Sequence, residues 1–380
     1  MSRFELSLSP GYVSHWGVWE GVRELLQNSI DQEENVPEAR KVFDYSNGNL
    51  IIGNRNSTLP LSSLLLGETT KDGTQSIGQF GEGYKLAFIA LLRAGIYIEV
   101  YNDGQLWVPK FIKSRRYGKR ILVVDTSKER MPHRDLLFKL QGITPQMFAG
   151  IVDKYLPIKD SVGETISAPN IGRVLLNPEL KGKIYVEGLF VCEHAGEITY
   201  GYDLRAGHIT LDRDRTTVSN FNLFWETSLL YATLSDVKHA PVISKLIGKS
   251  APDTEYYMLH RKKDSHFYKS TCDLSYKDFI NKNGVLAVPV KDEEEAEKIK
   301  KLYNDLVPIT VPIIMYTTIS ESNDYVESEA AKKLRNIPEL PTPHAIIMDV
   351  LDRYRNQLHG QPHDIIVEEI LKPAAQWHLR

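Results

Sequence analysis

The stretch Ile77-Gly78-Gln79-Phe80-Gly81-Glu82-Gly83 runs straight into Tyr84-Lys85-Leu86-Ala87, so three glycines open an apolar helix expected over 84–93. Glycines let backbone N–H groups approach a ligand closely, and a helix start adds the positive end of its dipole. Phosphates bind at such places. A glycine triplet alone is often only a turn, so its weight depends on what the chain sets against it.

About fifty residues earlier lies Trp19-Glu20-Gly21-Val22-Arg23-Glu24-Leu25-Leu26-Gln27-Asn28-Ser29-Ile30-Asp31. Trp19, Val22, Leu26 and Ile30 recur at helical spacing, which predicts a helix over 14–33 with an apolar stripe for a sheet. Glu24, Asn28 and Asp31, at i, i+4 and i+7, share an arc of roughly 60° on the other side. That face is expected to turn an acid and an amide toward a cavity, with Gly17 and Gly21 leaving room beside it. Mg²⁺ takes oxygen ligands and keeps several waters and phosphate oxygens, so the one amide oxygen of Asn28 is an adequate protein ligand. A carboxylate one turn earlier, Glu24, can orient a water toward a γ-phosphate as general base.

The elements predicted around these two segments follow one order. A weak alternation at Phe4, Leu6 and Leu8 suggests an edge strand, and Val42-Phe43-Asp44-Tyr45 with Leu50-Ile51-Ile52 reads as a hairpin about Asn47-Gly48. A short apolar turn over 61–66 and a polar loop over 68–76 come next, suited to cover a ligand. After the glycines and their helix, strands over 96–101, 105–112 and 120–125 form an antiparallel meander, and residues 132–155 are expected to hold one or two helices. The expected class is α/β (α+β), a two-layer sandwich of helices on a mixed, mostly antiparallel sheet.

The two segments resemble the N box and glycine box of the GHKL superfamily of ATPases, whose fold is the Bergerat sandwich. The heat-shock-90-like, MORC and MutL branches look nearest, and the outline is similar to phage rIIA-like proteins. The resemblance covers about the first 130 residues. It implies ATP and Mg²⁺ as cofactors, Glu24 as base and Asn28 as the magnesium ligand. It also implies a phosphate site of Gly78, Gln79, Phe80, Gly81, Gly83, Tyr84 and Lys85 that Asp31 borders. Thr69-Thr70-Lys71-Asp72-Gly73-Thr74 looks like a shortened lid, in which Lys71 and Thr74 meet phosphates. Between the boxes the family has Asp-x-Gly-x-Gly for adenine, where this chain has Asn54-Arg55-Asn56-Ser57-Thr58. Asn54 can accept from an adenine amino group but can also donate, so the base is less strictly specified. Arg213 or Arg215, in Asp212-Arg213-Asp214-Arg215, is a candidate for neutralising γ-phosphate charge from the following domain.

Domains are expected at 1–160 (nucleotide binding), 161–283 (strand-rich, transducer-like) and 284–380 (an α/β region of unknown role). The second should hold strands over 172–176, 183–186, 189–192, 200–204 and 208–211 and a helix over 222–234. The third should hold strands over 285–290 and 309–316 flanking a helix over 293–303, then amphipathic helices over 346–358 and 364–371. With 46 basic against 49 acidic residues, net charge −3, nothing global draws the chain to nucleic acid or membrane. Any such contact must be local, as in the basic run Lys110, Lys113, Arg115, Arg116, Lys119, Arg120 with Tyr117. Two distant cysteines, Cys192 and Cys272, and the lack of an apolar leader or span fit a cytoplasmic protein.

The expected activity is Mg-dependent ATP binding with slow hydrolysis, driving lid closure, domain coupling and dimerisation, with a protein client possible. A nucleotide-gated scaffold with little turnover and a DNA-processing ATPase like MutL are the alternatives. A histidine kinase is disfavoured, because the boxes begin near residue 20 with no phosphoacceptor helix before them.

Overall fold

A computed structural model describes residues 2–65, 83–129, 134–194, 196, 198–210 and 218–335. The first helix, α1 (Val18–Asn35), starts where the sequence provides a cap: the Gly17 N–H donates to Glu20 Oε2 at 2.7 Å, satisfying an orphan donor of the first turn. The other helices of this part are α2 (Gly83–Arg93) and α3 (Pro145–Lys154). Beyond α2, Gly95 adopts φ +82°, the left-handed conformation that ends a helix at little cost when no Cβ is present.

These helices lie on a seven-stranded sheet of β1 (Ser2–Leu6), β2 (Arg40–Ser46), β3 (Asn49–Arg55), β4 (Tyr97–Asn102), β5 (Gln105–Lys113), β6 (Arg120–Lys128) and β7 (Asp135–Gln141). Its order is β1-β6-β5-β4-β7-β3-β2. Every pairing in it is antiparallel, so the expected two-layer sandwich is present with a purely antiparallel rather than mixed sheet. The β2–β3 turn uses Asn47 and Gly48 at φ +49° and +75°, as the primed hairpin predicts.

Residues 132–155 hold one helix, α3, as expected, and also a strand that the sequence reading does not include. β7 lies inside the sheet between β4 and β3, Leu136, Phe138 and Leu140 facing the helices while Leu137, Lys139 and Gln141 face away. Leucine's good helix propensity and the run Leu136-Leu137-Phe138 hide an alternation that only the neighbouring strands make decisive. Inside the sandwich, Leu25, Leu26, Phe88, Ile52, Val100 and Trp107 are essentially fully buried. Each such aliphatic or aromatic side chain contributes about 1.5–3 kcal/mol by leaving water. Gly21 lets α1 and α2 approach, since a Cβ there would stand 2.7 Å from Leu91 Cγ.

A second sheet combines β8 (Thr165–Ala168), β9 (Gly172–Leu175), β10 (Lys183–Val186), β11 (Leu189–Glu193) and β12 (Gly201–Leu204) in the order β11-β10-β12-β9-β8, with β10 and β12 parallel. Residues 208–210, the described part of the strand expected over 208–211, are not in a strand, and 208 and 209 form a bend. Four helices follow, α4 (Asn220–Thr233), α5 (Ala240–Gly248), α6 (Tyr257–His260) and α7 (His266–Asn283). The two sheets meet where Tyr155 bridges to Leu189, both within the first sandwich's apolar core.

The last described stretch pairs β13 (Ala287–Val290) in parallel with β14 (Val307–Thr310) across α8 (Glu293–Leu302). Asp292 caps α8 by accepting from the Glu295 N–H at 2.8 Å, and glutamates lead while lysines close it, as its dipole favours. The strand expected over 309–316 ends at Thr310. Pro312 then caps a helix, α9 (Ile313–Ser320), which packs on α7, before the short helices α10 (Asn323–Val326) and α11 (Glu329–Arg335). β-branched Ile and Thr disguise α9 as a strand, and tertiary packing overrides that propensity. The helices expected over 346–358 and 364–371 lie outside the described residues. Among the described residues no helix is long and apolar enough to cross a membrane.

Candidate functional site

α1 is buried on nearly every side, which the sequence pattern did not suggest. Glu24 is 4% exposed and Asp31 fully buried, while Asn28 keeps partial exposure. The polar arc therefore faces the interior of the sandwich rather than bulk water. Arg23, itself buried, reaches Glu24 Oε1 with Nη2 at 3.4 Å, and its guanidinium stands over the Trp16 ring at 5.6 Å from the centroid. Asn28 Nδ2 donates to the Glu24 carbonyl oxygen at 2.9 Å. That bond holds the nitrogen end of the amide against the helix, and the oxygen is the end that can ligate a cation.

The two boxes meet at Gly83. A Cβ built there would lie 2.7 Å from Glu24 Oε2 and 3.5 Å from Asn28 Nδ2. The start of α2 thus lies against the carboxylate and the amide, at a distance where a Cβ would have to displace the carboxylate. Gly78, Gln79, Phe80 and Gly81 lie outside the described residues, as do Lys71 and Thr74 of the expected lid and Arg213 and Arg215.

Tyr84 and Lys85 anchor the main chain at residues 63–65. Tyr84 OH donates to the Ser63 carbonyl and lies 3.1 Å from Ser63 Oγ. Burial pushes its pKa up to about 12, partly offset by the Ser63 hydrogen bond. Lys85 is fully buried, its Nζ donating to the Leu65 carbonyl and standing 5.6 Å from the Tyr84 ring centroid. The structure thus places both side chains on residues 63–65.

Asn54 lies on the inward face of β3, as the alternation with Leu50 and Ile52 predicts, and is 1% exposed. Its Nδ2 donates to the Ser29 carbonyl at 2.9 Å, while Ser29 Oγ donates to the Gly53 carbonyl at 2.8 Å. α1 and β3 are laced together at this point. A carbonyl accepts only from the NH₂ end, so the orientation of the Asn54 amide is fixed by chemistry. Gly53, at φ +152°, sits where a Cβ would fall 2.0 Å from the Leu136 carbonyl oxygen.

Arg23, Gln27, Ser29 and Gly53 belong to this region and went unnoticed in the sequence. Arginine and glutamine are usually exposed, so nothing in the pattern marks their burial. Gln27 Oε1, 3% exposed as a residue, finds no hydrogen-bond partner among the described residues.

No family model matches this sequence, and no curated protein matches it. Solved structures overlap it in part. The ATPase region of Saccharomyces cerevisiae topoisomerase II bound to ICRF-187 (dexrazoxane) is 10% identical at TM-score 0.32, over 46% of this chain and 62% of that one. The chain thus spans less than two thirds of that structure. A second structure of the same region is 9% identical at TM-score 0.33, over 53% and 76%. The B-subunit of DNA gyrase from Myxococcus xanthus is 10% identical at TM-score 0.30, over 66% and 97%. These overlaps are partial, and the architecture is defined by the strand order, the antiparallel pairings and the burial of α1 and α2 on one face of the sheet.

Proposed function

We propose that this chain binds ATP with Mg²⁺ between α1, β3 and the glycine turn, and hydrolyses it slowly. The observation that carries the reading is the contact at Gly83, where a missing Cβ lets the start of α2 lie directly against the Glu24 carboxylate and the Asn28 amide. The residues fit the group. An amide oxygen suits a magnesium ion that keeps its waters and phosphate oxygens, and a glycine-opened helix start suits phosphate. A bound Mg²⁺ would offset phosphate charge.

The chain's own residues take the remaining roles. Glu24 accepts the proton of an attacking water, a role typically worth ~10² to 10⁴ in rate, while Arg23 orients its carboxylate. Asn54, its nitrogen committed to Ser29, presents an oxygen that accepts from an adenine amino group. Asp31 supports this wall from within, and Gly78, Gln79, Phe80 and Gly81 supply backbone N–H groups to the phosphates. Tyr84 and Lys85 hold residues 63–65, from which the loop bearing Lys71 and Thr74 departs as a lid. Arg213 or Arg215 enters from the 161–283 unit to neutralise phosphate charge. Lid closure then couples residues 1–160 to that unit and favours a homodimer, because a ligand shifts a conformational equilibrium by its differential affinity.

Phosphate release and nucleotide binding measured on wild type and Glu24→Gln test this reading. The variant should bind Mg·ATP as wild type does and release phosphate at least about 10²-fold more slowly. Equal release rates with binding intact in both would remove Glu24 from catalysis and leave a nucleotide-gated scaffold; no binding by wild type would sink the proposal altogether.

A further inference from the structure

The β5–β6 hairpin carries a charge arrangement that the nucleotide site does not use. Its tip, residues 113–120, holds Lys113, Arg115, Arg116, Lys119 and Arg120, all exposed and with no acidic residue among them. Among the described residues none of the five makes an ion pair, although Lys110, just below, is paired with Asp125 at 2.7 Å. Lys113 and Arg120 are also direct cross-strand partners. Like charges so placed destabilise a hairpin, so folding alone gives no reason for them.

The tip is ordered despite this repulsion. The Ser114 N–H donates to the Lys119 carbonyl at 2.9 Å and the Gly118 N–H to the Ser114 carbonyl at 3.0 Å. Two guanidinium groups are held over rings, Arg116 over Tyr117 at 5.8 Å and Arg120 over Phe111 at 5.4 Å. Tyr117 is 47% exposed and is the only large apolar side chain on the tip. Guanidinium planes fixed in this way suit forked hydrogen bonding to phosphate. A membrane-docking hairpin would need an apolar wedge beyond one tyrosine.

We infer that the β5–β6 hairpin tip is a docking site for the phosphate backbone of a nucleic acid, with Arg115, Arg116 and Lys119 as direct contacts and the Lys113–Arg120 pair relieved of its repulsion on binding. The site is independent of the nucleotide reading, and its failure would leave that reading untouched.

The test is fluorescence anisotropy of the full chain with a labelled 20-base-pair DNA duplex, at several salt concentrations from 50 to 200 mM. Single-stranded DNA and duplex RNA of the same length identify the source of the backbone. Wild type should bind with a steep salt dependence. Arg115→Gln/Arg116→Gln/Lys119→Gln should weaken binding at least about tenfold at 100 mM salt and flatten the log–log slope by roughly 3, near 0.9 per lost phosphate contact. Arg115→Lys/Arg116→Lys should retain most of the slope. Lys113→Glu, which converts the repulsive pair into an attractive one, should raise the melting temperature while weakening binding, the reverse of what a structural lysine would show. Wild-type affinity and slope in the triple glutamine variant would overturn the inference. So would binding to phosphatidylserine vesicles by a wild type that ignores every nucleic acid.

Discussion

Glu24 and Gly83 occupy one space: the carboxylate oxygen of the first lies 2.7 Å from where the second would carry a Cβ. That separation is below any real Cβ contact, and the atom that would yield is the far end of the Glu24 side chain, whose other oxygen faces Arg23. Gly83→Ala should therefore fold, with stability unchanged or slightly raised by alanine's better helix propensity, worth up to about 1 kcal/mol. Its phosphate release should drop at least tenfold as the carboxylate swings away. Thermal melting and a phosphate-release assay on one preparation would separate the two effects, and full activity in this variant would disconnect the glycine from the acid.

Asn54 gives a prediction about the nucleobase. Because its NH₂ end is tied to the Ser29 carbonyl, only an acceptor is offered to a base, which matches the amino group of adenine and not the carbonyl at the same position of guanine. ATP should bind about tenfold or more tightly than GTP, the equivalent of one hydrogen bond of about 1.4 kcal/mol. Asn54→Asp would set a carboxylate against the Ser29 carbonyl and should cost about 1–3 kcal/mol of stability. Competition binding and urea unfolding read the two halves separately; equal ATP and GTP affinities would show that Asn54 does not read the base.

Acid should weaken the β1–β6 edge. The hydrogen bond from Arg3 Nε, at 2.6 Å, leads the causes that hold the Asp125 carboxyl well below the usual carboxylate range, with Lys110 adding to it and burial opposing. Since the folded pKa is depressed, the stabilisation is complete above the unfolded value near 4 and is lost as pH falls through the folded one. Arg3 is half exposed, so solvent screens the pair and keeps the effect small. The stability gap between wild type and Asp125→Asn should be present at pH 7 and shrink steadily below pH 4. A gap independent of pH would mean that the ion pair does not act.

Alkali should release the segment held by Tyr84. Its pKa is raised to about 12 against about 10 in the unfolded chain, so the contribution is complete below pH 10 and lost as pH rises toward 12. Tyr84→Phe should be about 1 kcal/mol less stable at pH 7, one buried hydrogen bond, and should lose the part of the alkaline transition that this hydroxyl causes. Spectrophotometric titration alongside circular dichroism measures both. Unaltered alkaline unfolding in Tyr84→Phe would remove the hydroxyl from that transition.

The hairpin at Asn47-Gly48, the closure of α2 by Gly95, the β4–β6 meander and the facing of Asn54 were all readable in the sequence, because each follows from a local rule of turn geometry or alternation. Less was readable where burial decides. The polar arc of α1 is expected to line a cavity, but the pattern gives no sign that Glu24 and Asp31 are almost wholly buried. β7 and α9 are hidden in opposite directions: leucines conceal a strand, and β-branched residues conceal a helix. In both cases the neighbours, not the segment, determine the outcome. At the candidate site, Glu24, Asn28 and Gly83 were named from spacing and family resemblance, whereas Arg23 and Gln27 are apparent only once α1 is known to be enclosed.

The position of β7 between β4 and β3 also bears on the order in which the molecule can be made. During synthesis the β2–β3 hairpin emerges first and the β4–β6 meander later, yet the two do not pair with each other. β7 alone joins them, Leu136 standing between Asn54 and Asn102. Until residue 141 has left the ribosome, the nascent chain carries two open-edged half-sheets, the kind of surface on which unfinished chains associate. Those contacts also span long stretches of sequence, which slows folding. A stalled chain with residue 128 but not residue 135 outside the ribosome should therefore be aggregation-prone, and one with residue 141 well outside should not.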